Sequence, residues 1–461
     1  MTALVYGFAV AGASTARALR ARGVEVIVVD DDPTDARRRL AEDLEVELLP
    51  TPTEAQLDRL VGSCDLVCPA PGVPETHAVV DAAHRHGVDL VSEIELAYRW
   101  EQDRTGGPRP IIAVTGTDGK TTTTLLTVEM LRAGGVRTID AGNTDTPLVD
   151  AIDLDVDAFV VECTSFRLAW TPTFRAEAAA WLNLAPDHLN WHTSMASYEA
   201  AKSRIFVNQR ADDTSIGLAT DPVVVRHLDA SPARHVTFGL DRGDYRRSTV
   251  DGRAVLTGPR GTLADVGAMR RALPHDITNA LAASALVIES GLVGDDAVGT
   301  ALASFVGPRH RLEHLADIDG VAWYNDSKAT TPHAASAAIR SFRRVVLIAG
   351  GYDKGVDLSP MAAELDRVDA VIAIGHTGPA LAAVFRGVDR VEVVDRLDEA
   401  VELASRITSP GQTVLLSPGC ASFDHYSGFE ARGDHFRTLV DALRSQALHP
   451  VAPQPDPGDR T

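Results

Sequence analysis

The sequence predicts an α/β protein made of three successive units, each built on its own parallel sheet. In the first hundred residues, short apolar runs such as VEVIVVD alternate with helical stretches, which is the spacing of strands joined by crossover helices. The same alternation restarts at IIAVTG and again after about residue 307, with RRVVLIAGG and DAVIAIG. Three such blocks suit a chain of 461 residues, because one hydrophobic core rarely serves so long a chain.

Changes in composition set the predicted boundaries between these units. The polar, glycine-rich stretch EQDRTGGPRP at 101–110 is typical of a linker, so we place the first unit at 1–104 and the second at 105–307. The third unit is placed at 308–448. The tail at 449–461 is rich in proline and polar residues, and we predict that it is disordered.

The charge balance and the cysteines exclude several classes of protein. With 64 acidic and 44 basic residues, the net charge of -20 argues against a protein that binds nucleic acid by neutralising its phosphates. The four cysteines lack a C-x-x-C pair or nearby histidines, which is typical of reduced thiols in a cytosolic protein. No apolar run approaches the roughly 20 residues that span a bilayer. We therefore expect a soluble, cytoplasmic protein with neither a nucleic-acid nor a membrane partner.

The stretch VTGTDGKTTTT at 114–124 has the Gly-Lys-Thr end of a phosphate-binding loop, although Val114 stands where the common pattern has its first glycine. A glycine-rich turn between a strand and a helix directs backbone N–H groups at a phosphate, and the helix N-terminus adds partial positive charge. Lys120 would reach the terminal phosphates, and Thr121 would offer its hydroxyl to Mg²⁺. The alternative is an ordinary strand-to-helix connection. We predict that a nucleotide is bound by the loop residues Gly116, Thr117, Asp118, Gly119, Lys120, Thr121 and Thr122.

Three further residues of the second unit follow or flank predicted elements. Glu162 ends the run AFVV and suits the second carboxylate of a Mg·ATP site, although a strand-end glutamate is often only a solvated terminus or a helix cap. His188 follows another strand and fits either a metal ligand or a structural histidine. Lys202, in the helical stretch SYEAAKSRIF, is a surface lysine on its spacing alone.

In the third unit, polar residues follow three of the predicted strands. Asp326, Lys354 and Ser417 all stand at such strand ends, and three in one sheet predict a pocket for a small acidic molecule. His310 and Arg311, at the junction with the second unit, fit either a hinge contact or a phosphate ligand.

Taken together, these motifs resemble the Mur ligases of peptidoglycan synthesis. A short phosphate loop without its first glycine is the form shared by Mur ligases and folylpolyglutamate synthases. The resemblance implies a Rossmann-like UDP-binding domain, a central P-loop ATPase domain and a C-terminal Rossmann-like domain that binds an amino acid. The other landmarks follow in order over roughly residues 3–445: GNTDTP, ECTSF, NLAPDHLNWH, YEAAKSRIF, LPHDITNALAA, GPRHRLE, NDSKATTP, GGYDKG and SPGCASFDHYSGFEARGDHF.

Within that family, the chain most resembles the members that add D-glutamate to UDP-N-acetylmuramoyl-L-alanine. The pointers are NDSKAT, GG-x-x-KG, SP-x-x-AS-x-D and the pattern G-x-x-x-x-G-x-S from Gly7 to Ser14. The resemblance implies an ATP-dependent amide ligase that works through an acyl phosphate. We expect the protein to be a monomer. A ligase for another amino acid, such as L-glutamate, or an enzyme like folylpolyglutamate synthase is the alternative. A P-loop nucleotide switch is the rival from a different class.

The resemblance also implies roles for individual residues. Lys120, His188 and Lys202 would be catalytic, with one Mg²⁺ at Thr121 and Glu162, a second at His188 and Lys202, and Lys202 carried as a carbamate. Further ATP contacts would come from Asn279, Arg311 and Asp326. Contacts to the UDP-linked substrate would come from Ser14, Thr15, Asp30 or Asp31, and Asn143. The incoming amino acid would be held by Thr330, Lys354, Ser417 and Phe423.

Several stretches depart from the common motifs of the family. GNTDTP stands where GNIGTP is usual, so Asp145 adds a charge close to the substrate channel. Asp276 replaces a common asparagine in LPHDITNA, ECTSFRL stands for ELSSFQL, and TTP follows DSKA where TNP is common. We expect these departures to alter substrate contacts and to leave the chemistry unchanged.

Overall fold

The computed structural model describes residues 1–353 and 355–448, and it confirms the predicted α/β class. The chain forms two compact units, Met1–Val306 and a second that begins at Gly307. The first unit contains two sheets and the second unit one. The domain boundaries predicted at 104/105 and 307/308 stay predictions, and the predictions for Lys354 and for 449–461 lie outside the described residues.

The N-terminal sheet of the first unit has five parallel strands in the order β3-β2-β1-β4-β5. Neighbouring residues of β1 are buried on opposite faces, Ala3 and Val5 in one core and Leu4 and Tyr6 in the other, because helices cover both faces. In chain order the elements are β1 (Thr2–Tyr6), α1 (Val10–Ala21), β2 (Glu25–Val29), α2 (Asp35–Asp43), β3 (Glu47–Leu49), α3 (Glu54–Gly62), β4 (Leu66–Pro69), α4 (Ala78–His86), β5 (Asp89–Leu90) and α5 (Glu93–Gln102).

The second sheet of this unit has nine strands in the order β14-β13-β12-β11-β10-β9-β6-β8-β7. The strands from β6 to β12 run parallel where they pair, and β13 and β14 are antiparallel additions at one edge. The elements are β6 (Ile111–Thr115), α6 (Lys120–Ala133), β7 (Thr138–Gly142), α7 (Leu148–Ala151), β8 (Ala158–Glu162), α8 (Ser165–Leu168), β9 (Ala178–Trp181), α9 (Met195–Val207), β10 (Thr214–Leu218), α10 (Pro222–Ala230), β11 (Arg234–Gly239), β12 (Tyr245–Val250), β13 (Arg253–Gly258), β14 (Gly261–Asp265), a 3-10 turn (Val266–Ala268), α11 (Pro274–Glu289) and α12 (Asp296–Ser304).

The order of this second sheet decides where a site can form. β6 lies between β8 and β9, so the loops that follow these three strands meet at one edge. Parallel strands carry their ligands at that edge, beyond the carboxyl ends. The phosphate loop follows β6, ECTSF begins at the end of β8, and NLAPDH follows β9.

Buried carboxylates on α5 join the two sheets of the first unit. Glu95 is fully buried and accepts hydrogen bonds from the backbone N–H groups of Thr173 (3.1 Å) and Phe174 (2.8 Å). Glu101 pairs with Arg109 at 2.8 Å, across the stretch predicted to be a linker. Because each buried oxygen has a donor, these glutamates are stabilised where an unpaired one would be costly.

The second unit has a six-stranded sheet in the order β15-β16-β20-β17-β18-β19, with β15 antiparallel to β16 and the other pairs parallel. The elements are β15 (Glu313–Ile318), β16 (Val321–Asn325), α13 (Pro332–Arg340), β17 (Val345–Gly350), a 3-10 segment (Ser359–Arg367), β18 (Val368–Ile374), α14 (Gly378–Val384), β19 (Val391–Val394), α15 (Leu397–Ile407), β20 (Thr413–Leu416) and α16 (Phe429–Leu448).

None of the helices in the described part of the chain is long and apolar enough to cross a bilayer.

Candidate active site

The phosphate loop lies between β6 and the N-terminus of α6, as predicted. Gly119 has φ +87°, and a Cβ there would stand 2.5 Å from Asn279 Oδ1. Only glycine therefore fits this turn without strain. The same contact brings α11 against the loop, so Asn279 lies beside it, on the helix that the resemblance linked to ATP.

Asn183, which sequence reasoning missed, braces the loop from the end of β9. Its Oδ1 accepts hydrogen bonds from the N–H groups of Thr117 (3.0 Å) and Asp118 (2.9 Å), and its Nδ2 donates to Asp118 O (3.1 Å). The Thr117 hydroxyl in turn lies 3.1 Å from the Tyr198 hydroxyl of α9. The only signal in the sequence was the asparagine of NLAPDH, which contacts a loop 66 residues away.

Two lysines converge on one backbone oxygen of the loop. Lys120 Nζ donates to Gly116 O (2.9 Å) and to Thr117 O (2.8 Å), and Lys202 Nζ donates to Gly116 O at 2.7 Å. Lys202 is only 1% exposed, so the reading of it as a surface lysine is wrong. Burial, together with the charge of Lys120, lowers the pKa of Lys202 well below its usual value.

Glu162, at the end of β8, is buried beside this loop. Its Oε1 accepts a hydrogen bond from Asn143 Nδ2 (2.8 Å), whereas its Oε2 is buried with no hydrogen-bond partner. Leaving a carboxylate oxygen buried without a donor is costly, and a cation satisfies such an oxygen directly. Glu162 is therefore suited to be a Mg²⁺ ligand, which is the role that the sequence suggested.

His188 stands on the loop after β9 in a left-handed conformation, with φ +54°. Its Nε2 lies 3.3 Å from Asp187 Oδ2, and its ring centroid lies 4.6 Å from that of Phe166. Burial lowers the pKa of His188; Asp187 opposes this shift, and Lys120 and Lys202 add to it. The imidazole is thereby favoured in its neutral form, which is the form that binds metals. Among residues 1–353 and 355–448, no group of three or more histidine, cysteine or carboxylate side chains is placed to hold a metal.

Comparison with known proteins shows which family of P-loop proteins this chain resembles. The model of the Mur ligase middle domain matches residues 114–287, and that of the Mur ligase glutamate ligase domain matches residues 310–420. UDP-N-acetylmuramoylalanine–D-glutamate ligase from Frankia casuarinae is 42% identical, over 95% of this chain and 93% of the relative.

The chain belongs to the Mur ligase family.

Other relatives and solved structures agree with this assignment. The enzyme of the same name from Streptomyces coelicolor is 37% identical over 95% of this chain and 97% of its own. UDP-N-acetylmuramate-alanine ligase (MurC) from Thermotoga maritima has a TM-score of 0.58 at 18% identity, covering 96% of this chain and 99% of its own. MurF from Acinetobacter baumannii has a TM-score of 0.57 at 18% identity, covering 96% and 90%. At such identities these two structures bear on the fold alone.

In this Mur ligase, a buried arginine connects the Glu162 side of the site to the N-terminal sheet. Arg167 Nε donates to Glu93 Oε1, and its Nη1 donates to Asn143 Oδ1, both at 2.9 Å. Because Asn143 also donates to Glu162, the four side chains form one continuous chain of hydrogen bonds. The sequence offers one signal for Arg167, because ECTSFRL departs from the common family motif ELSSFQL at this position.

Some of the residues predicted to contact the UDP-linked substrate line a crevice, and others are buried in the protein interior. A narrow crevice lies at the carboxyl end of the N-terminal sheet, and Gly12, Thr15 and Arg167 are among the residues that line it. The Thr15 hydroxyl donates within its own helix to Ala11 O (2.8 Å), and Ser14 is buried.

Asp30 is also buried, and its carboxylate holds the glycine turn of the Mur ligase N-terminal domain. Asp30 Oδ2 accepts a hydrogen bond from the Phe8 N–H (2.6 Å), and Oδ1 accepts from Arg37 Nη1 (2.8 Å). The neighbouring Asp31 accepts from the Tyr6 hydroxyl at 2.7 Å. In this structure both carboxylates therefore serve the turn that shapes the crevice.

Ser165, His192 and Glu75 form a second missed cluster, with the order of contacts found in a nucleophilic triad. His192 Nε2 lies 2.9 Å from Ser165 Oγ, and Nδ1 lies 3.1 Å from Glu75 Oε2. Ser165 is only 1% exposed, so a substrate has no access to its hydroxyl. Glu75 also accepts from the Thr193 N–H at 2.5 Å, so the cluster joins the loop after β4 to the middle of the Mur ligase chain.

In the second unit, β16 and β20 bring two of the predicted residues together. Ser417 Oγ donates to Asp326 Oδ2 at 2.8 Å, and both residues are buried. His310 is buried too, with its Nδ1 3.0 Å from Asn325 Nδ2, so it packs within its own unit. Thr330 is half-buried and Phe423 is 65% exposed. The amino-acid and ATP roles expected in this unit, including that of the half-buried Arg311, stay predictions.

The lysine content of this Mur ligase is unusual. Of its 44 basic residues only four are lysines: Lys120, Lys202, Lys328 and Lys354. Each lies in one of the motifs that pointed to the family. Arginine carries the remaining basic charge of the chain.

Proposed function

We propose that this Mur ligase joins D-glutamate to UDP-N-acetylmuramoyl-L-alanine, with ATP consumed and ADP and phosphate released, in the cytoplasmic stage of peptidoglycan synthesis. The observation that carries the proposal is 42% identity, over 95% of the chain, to an enzyme named for that reaction. The relatives from Streptomyces coelicolor and Myxococcus xanthus bear the same name at 37% and 38% identity.

ATP is the nucleotide used by the family, and the loop after β6 is the element proposed to hold it. Lys120 now donates to two neutral carbonyls. Exchanging them for phosphate oxygens would give stronger, charge-assisted bonds. A fold relative, MurF ligase from Thermotoga maritima, was solved in complex with ADP and has a TM-score of 0.57 at 15% identity.

Two Mg²⁺ ions are proposed in this site. Glu162 and Thr121 would hold the first, and the orphaned Glu162 Oε2 supports this assignment. His188 and Lys202 would hold the second. When bound, these ions neutralise charge on the phosphates as phosphoryl transfer proceeds.

Lys202 would contribute to the second ion as a carbamate. Its lowered pKa favours the neutral amine, whose lone pair can form an N–C bond to CO₂ while one amine proton leaves to solvent. The product is an anion, so it turns the repulsion between Lys202 and Lys120 into attraction. A ¹³C-bicarbonate experiment tests this step: we expect a labelled carbamate resonance in the wild-type protein and none in Lys202→Met.

The proposed reaction has two chemical steps, and these groups support them. The L-alanyl carboxylate attacks the γ-phosphorus, the bond to the β-phosphate oxygen breaks, and an acyl phosphate forms. The amine of D-glutamate then attacks the acyl carbon, phosphate leaves, and the amine loses a proton. Lys120 stabilises charge on the transferred phosphoryl group. Asn143, fixed between Glu162 and Arg167, orients the reacting carboxylate.

The remaining assignments complete the proposal. Asn279 contacts the nucleotide, and Arg311 and Asp326 contact it from the second unit. Ser14, Thr15, Asp30 and Asn143 contact the UDP-linked substrate. Thr330, Lys354, Ser417 and Phe423 hold the incoming glutamate.

A substrate panel tests the proposed reaction. The purified protein is incubated with ATP, Mg²⁺, UDP-N-acetylmuramoyl-L-alanine and one amino acid at a time, and phosphate release and product mass are measured. We expect turnover that depends on D-glutamate. Ligation of L-glutamate alone, or of glutamate onto a folate in a parallel arm, would assign the chain to the alternative enzymes. Phosphate release without any amino acid would instead favour a nucleotide switch.

We also propose that the enzyme acts as a monomer in the cytoplasm. All four cysteines are buried as free thiols, which suits a reducing compartment. Sedimentation velocity tests the first point, with a single species of 49.1 kDa as the expected result.

A further inference from the structure

The second unit contains a buried arginine, Arg432, that no step of the reaction uses. It lies in the first turn of α16, and only 1% of its surface is exposed. Burial lowers the pKa of Arg432 to about 10, and the charge of Asp424 opposes this shift. A cation at a helix N-terminus also faces the positive end of the helix dipole. The position is therefore electrostatically unfavourable unless its contacts compensate.

The contacts of Arg432 all go to neutral oxygens. Nε donates to Ser327 Oγ (3.0 Å), and Nη2 donates to Ser327 O (2.9 Å) and Cys420 O (3.2 Å). Nη1 donates to Ala421 O (3.2 Å) and more weakly to Gly350 O (3.4 Å). The planar fork of an arginine can reach several acceptors at fixed angles, which a lysine cannot do.

These acceptors lie at the ends of three different strands. Ser327 lies in the loop after β16, Gly350 is the last residue of β17, and Cys420 and Ala421 lie in the loop after β20. Because β16, β20 and β17 are neighbours in the sheet, Arg432 contacts three adjacent strand ends at once. The strand ends also bond to each other, since the Gly350 N–H donates to Pro418 O and the Tyr352 N–H donates to Ala421 O, both at 2.9 Å.

A glycine permits this close arrangement. Gly351 has φ +146°, and a Cβ there would stand 2.1 Å from Ala421 O and 3.0 Å from Arg432 Nη1. Any side chain at 351 would therefore displace the guanidinium or the loop after β20.

We propose that Arg432 is a positioning residue that fixes these three strand ends in the geometry that binds the amino-acid substrate. The inference rests on the proposed function, because the loops after β16 and β20 carry Thr330 and Ser417, two of the residues proposed to hold the glutamate. An apolar side chain would fill the space at lower electrostatic cost, so stability alone does not account for a buried cation here. The guanidinium instead holds the three strand ends at fixed distances from one another before the substrate binds.

Steady-state kinetics of Arg432→Lys and Arg432→Met test the proposal in the full-length enzyme. We expect the KM for D-glutamate to rise about tenfold in the lysine variant and further in the methionine variant, since each charge-assisted hydrogen bond lost corresponds to roughly a tenfold change. The KM values for ATP and for UDP-N-acetylmuramoyl-L-alanine should stay within about twofold of wild type on the same argument. Arg444→Met, an exposed arginine on the same helix, serves as the matched control and should change none of them.

The alternative outcomes are distinct. If kcat falls with the folded fraction while all three KM values are unchanged, Arg432 serves stability only and the proposal is wrong. If the methionine variant fails to fold, the lysine variant, which retains the charge, decides by the same criterion. If the wild-type enzyme does not ligate D-glutamate, the proposed function fails, and the KM for whichever amino acid it does ligate tests Arg432 in the same way.

Discussion

The carboxyl edge of the middle sheet and the carboxyl edge of the C-terminal sheet are built alike but differ in electrostatics. At each edge, loops that follow three adjacent parallel strands meet. At the middle edge, Lys120 and Lys202 both donate to Gly116 O, and Glu162 Oε2 has no donor. At the C-terminal edge, Ser417 donates to Asp326, and Arg432 is bonded to three strand ends.

This difference suggests that the two edges have different tasks. The middle edge holds two lysines close together and a buried carboxylate oxygen, Glu162 Oε2, without a hydrogen bond, and charged ligands such as phosphates and Mg²⁺ suit such an edge. At the C-terminal edge, Ser417 is hydrogen-bonded to Asp326 and Arg432 to neutral oxygens, which suits the recognition of a small molecule by fixed geometry. Asp424 Oδ2, in the loop after β20, is a buried oxygen without a hydrogen bond, and its charge acts on Arg432.

Replacement of Lys120 breaks the charged edge and should have the largest effect. In Lys120→Ala we expect kcat for ligation to fall by about 10²–10³-fold, the usual cost of removing one group that stabilises transition-state charge. The measurement is phosphate release at saturating substrates, with thermal unfolding as the control for folding. Near-normal turnover would contradict the role given to this lysine.

Separating Arg167 from Glu93 should have the next largest effect, on stability. Arg167→Met leaves Glu93 buried without its partner, and breaking a buried ion pair in this way costs about 3–5 kcal/mol of unfolding free energy. Burial already raises the pKa of Glu93 even though Arg167 opposes the shift, so the unpaired carboxyl should become protonated.

Urea unfolding of a double-mutant cycle measures the coupling of this pair. We expect Arg167→Met combined with Glu93→Gln to cost less than the sum of the two single changes, since the double variant has no unpaired charge left in the interior. Strict additivity would mean that the two side chains do not stabilise each other.

Replacement of Lys202 should change stability less than Arg167→Met does, and it should stabilise the protein instead of destabilising it. Because its pKa is lowered in the folded protein, the folded chain holds the proton of Lys202 less tightly than the unfolded chain does, so the lysine destabilises the fold below its ordinary pKa. In CO₂-depleted buffer, Lys202→Met should raise Tm by about 1–2 °C, the shift expected for ~1 kcal/mol in a unit that spans Met1–Val306.

The pH dependence of that gain checks its cause. The gain should shrink as the pH rises towards about 10.4, the ordinary lysine pKa, because the unfolded chain then loses its extra proton as well. Arg226→Met, an exposed cation on the neighbouring α10, should show no such trend. A gain that is constant over this pH range would exclude the protonation account.

The smallest effect is expected at the paired C-terminal edge. Ser417→Ala removes one hydrogen bond to Asp326 and should cost about 1 kcal/mol, seen as a modest fall in Cm. Ser422→Ala, a buried serine later in the same motif, is the comparison variant. If Ser417→Ala lowered the unfolding free energy as much as Arg167→Met does, the proposed electrostatic difference between the two edges would be wrong.

Local patterns account for what the sequence predicted. The apolar runs gave the strands of all three sheets, and the position of Glu162 at the end of AFVV gave its place at the site. Contacts between distant segments account for the rest. Lys202 is spaced like a surface residue on its helix, yet the loop after β6 covers it. Arg432 acts on a serine 105 residues away, which no local pattern encodes.

The scarcity of lysine has a practical consequence for chemistry on this protein. Amine-directed reagents meet only four side chains, and each lies in a motif of the proposed reaction. Lys202, buried and held by Gly116 O, should react slowly with any reagent larger than CO₂. Acylation of Lys120 with and without ATP would then report directly on nucleotide occupancy, so a general protein-labelling reaction becomes a footprint of the active site.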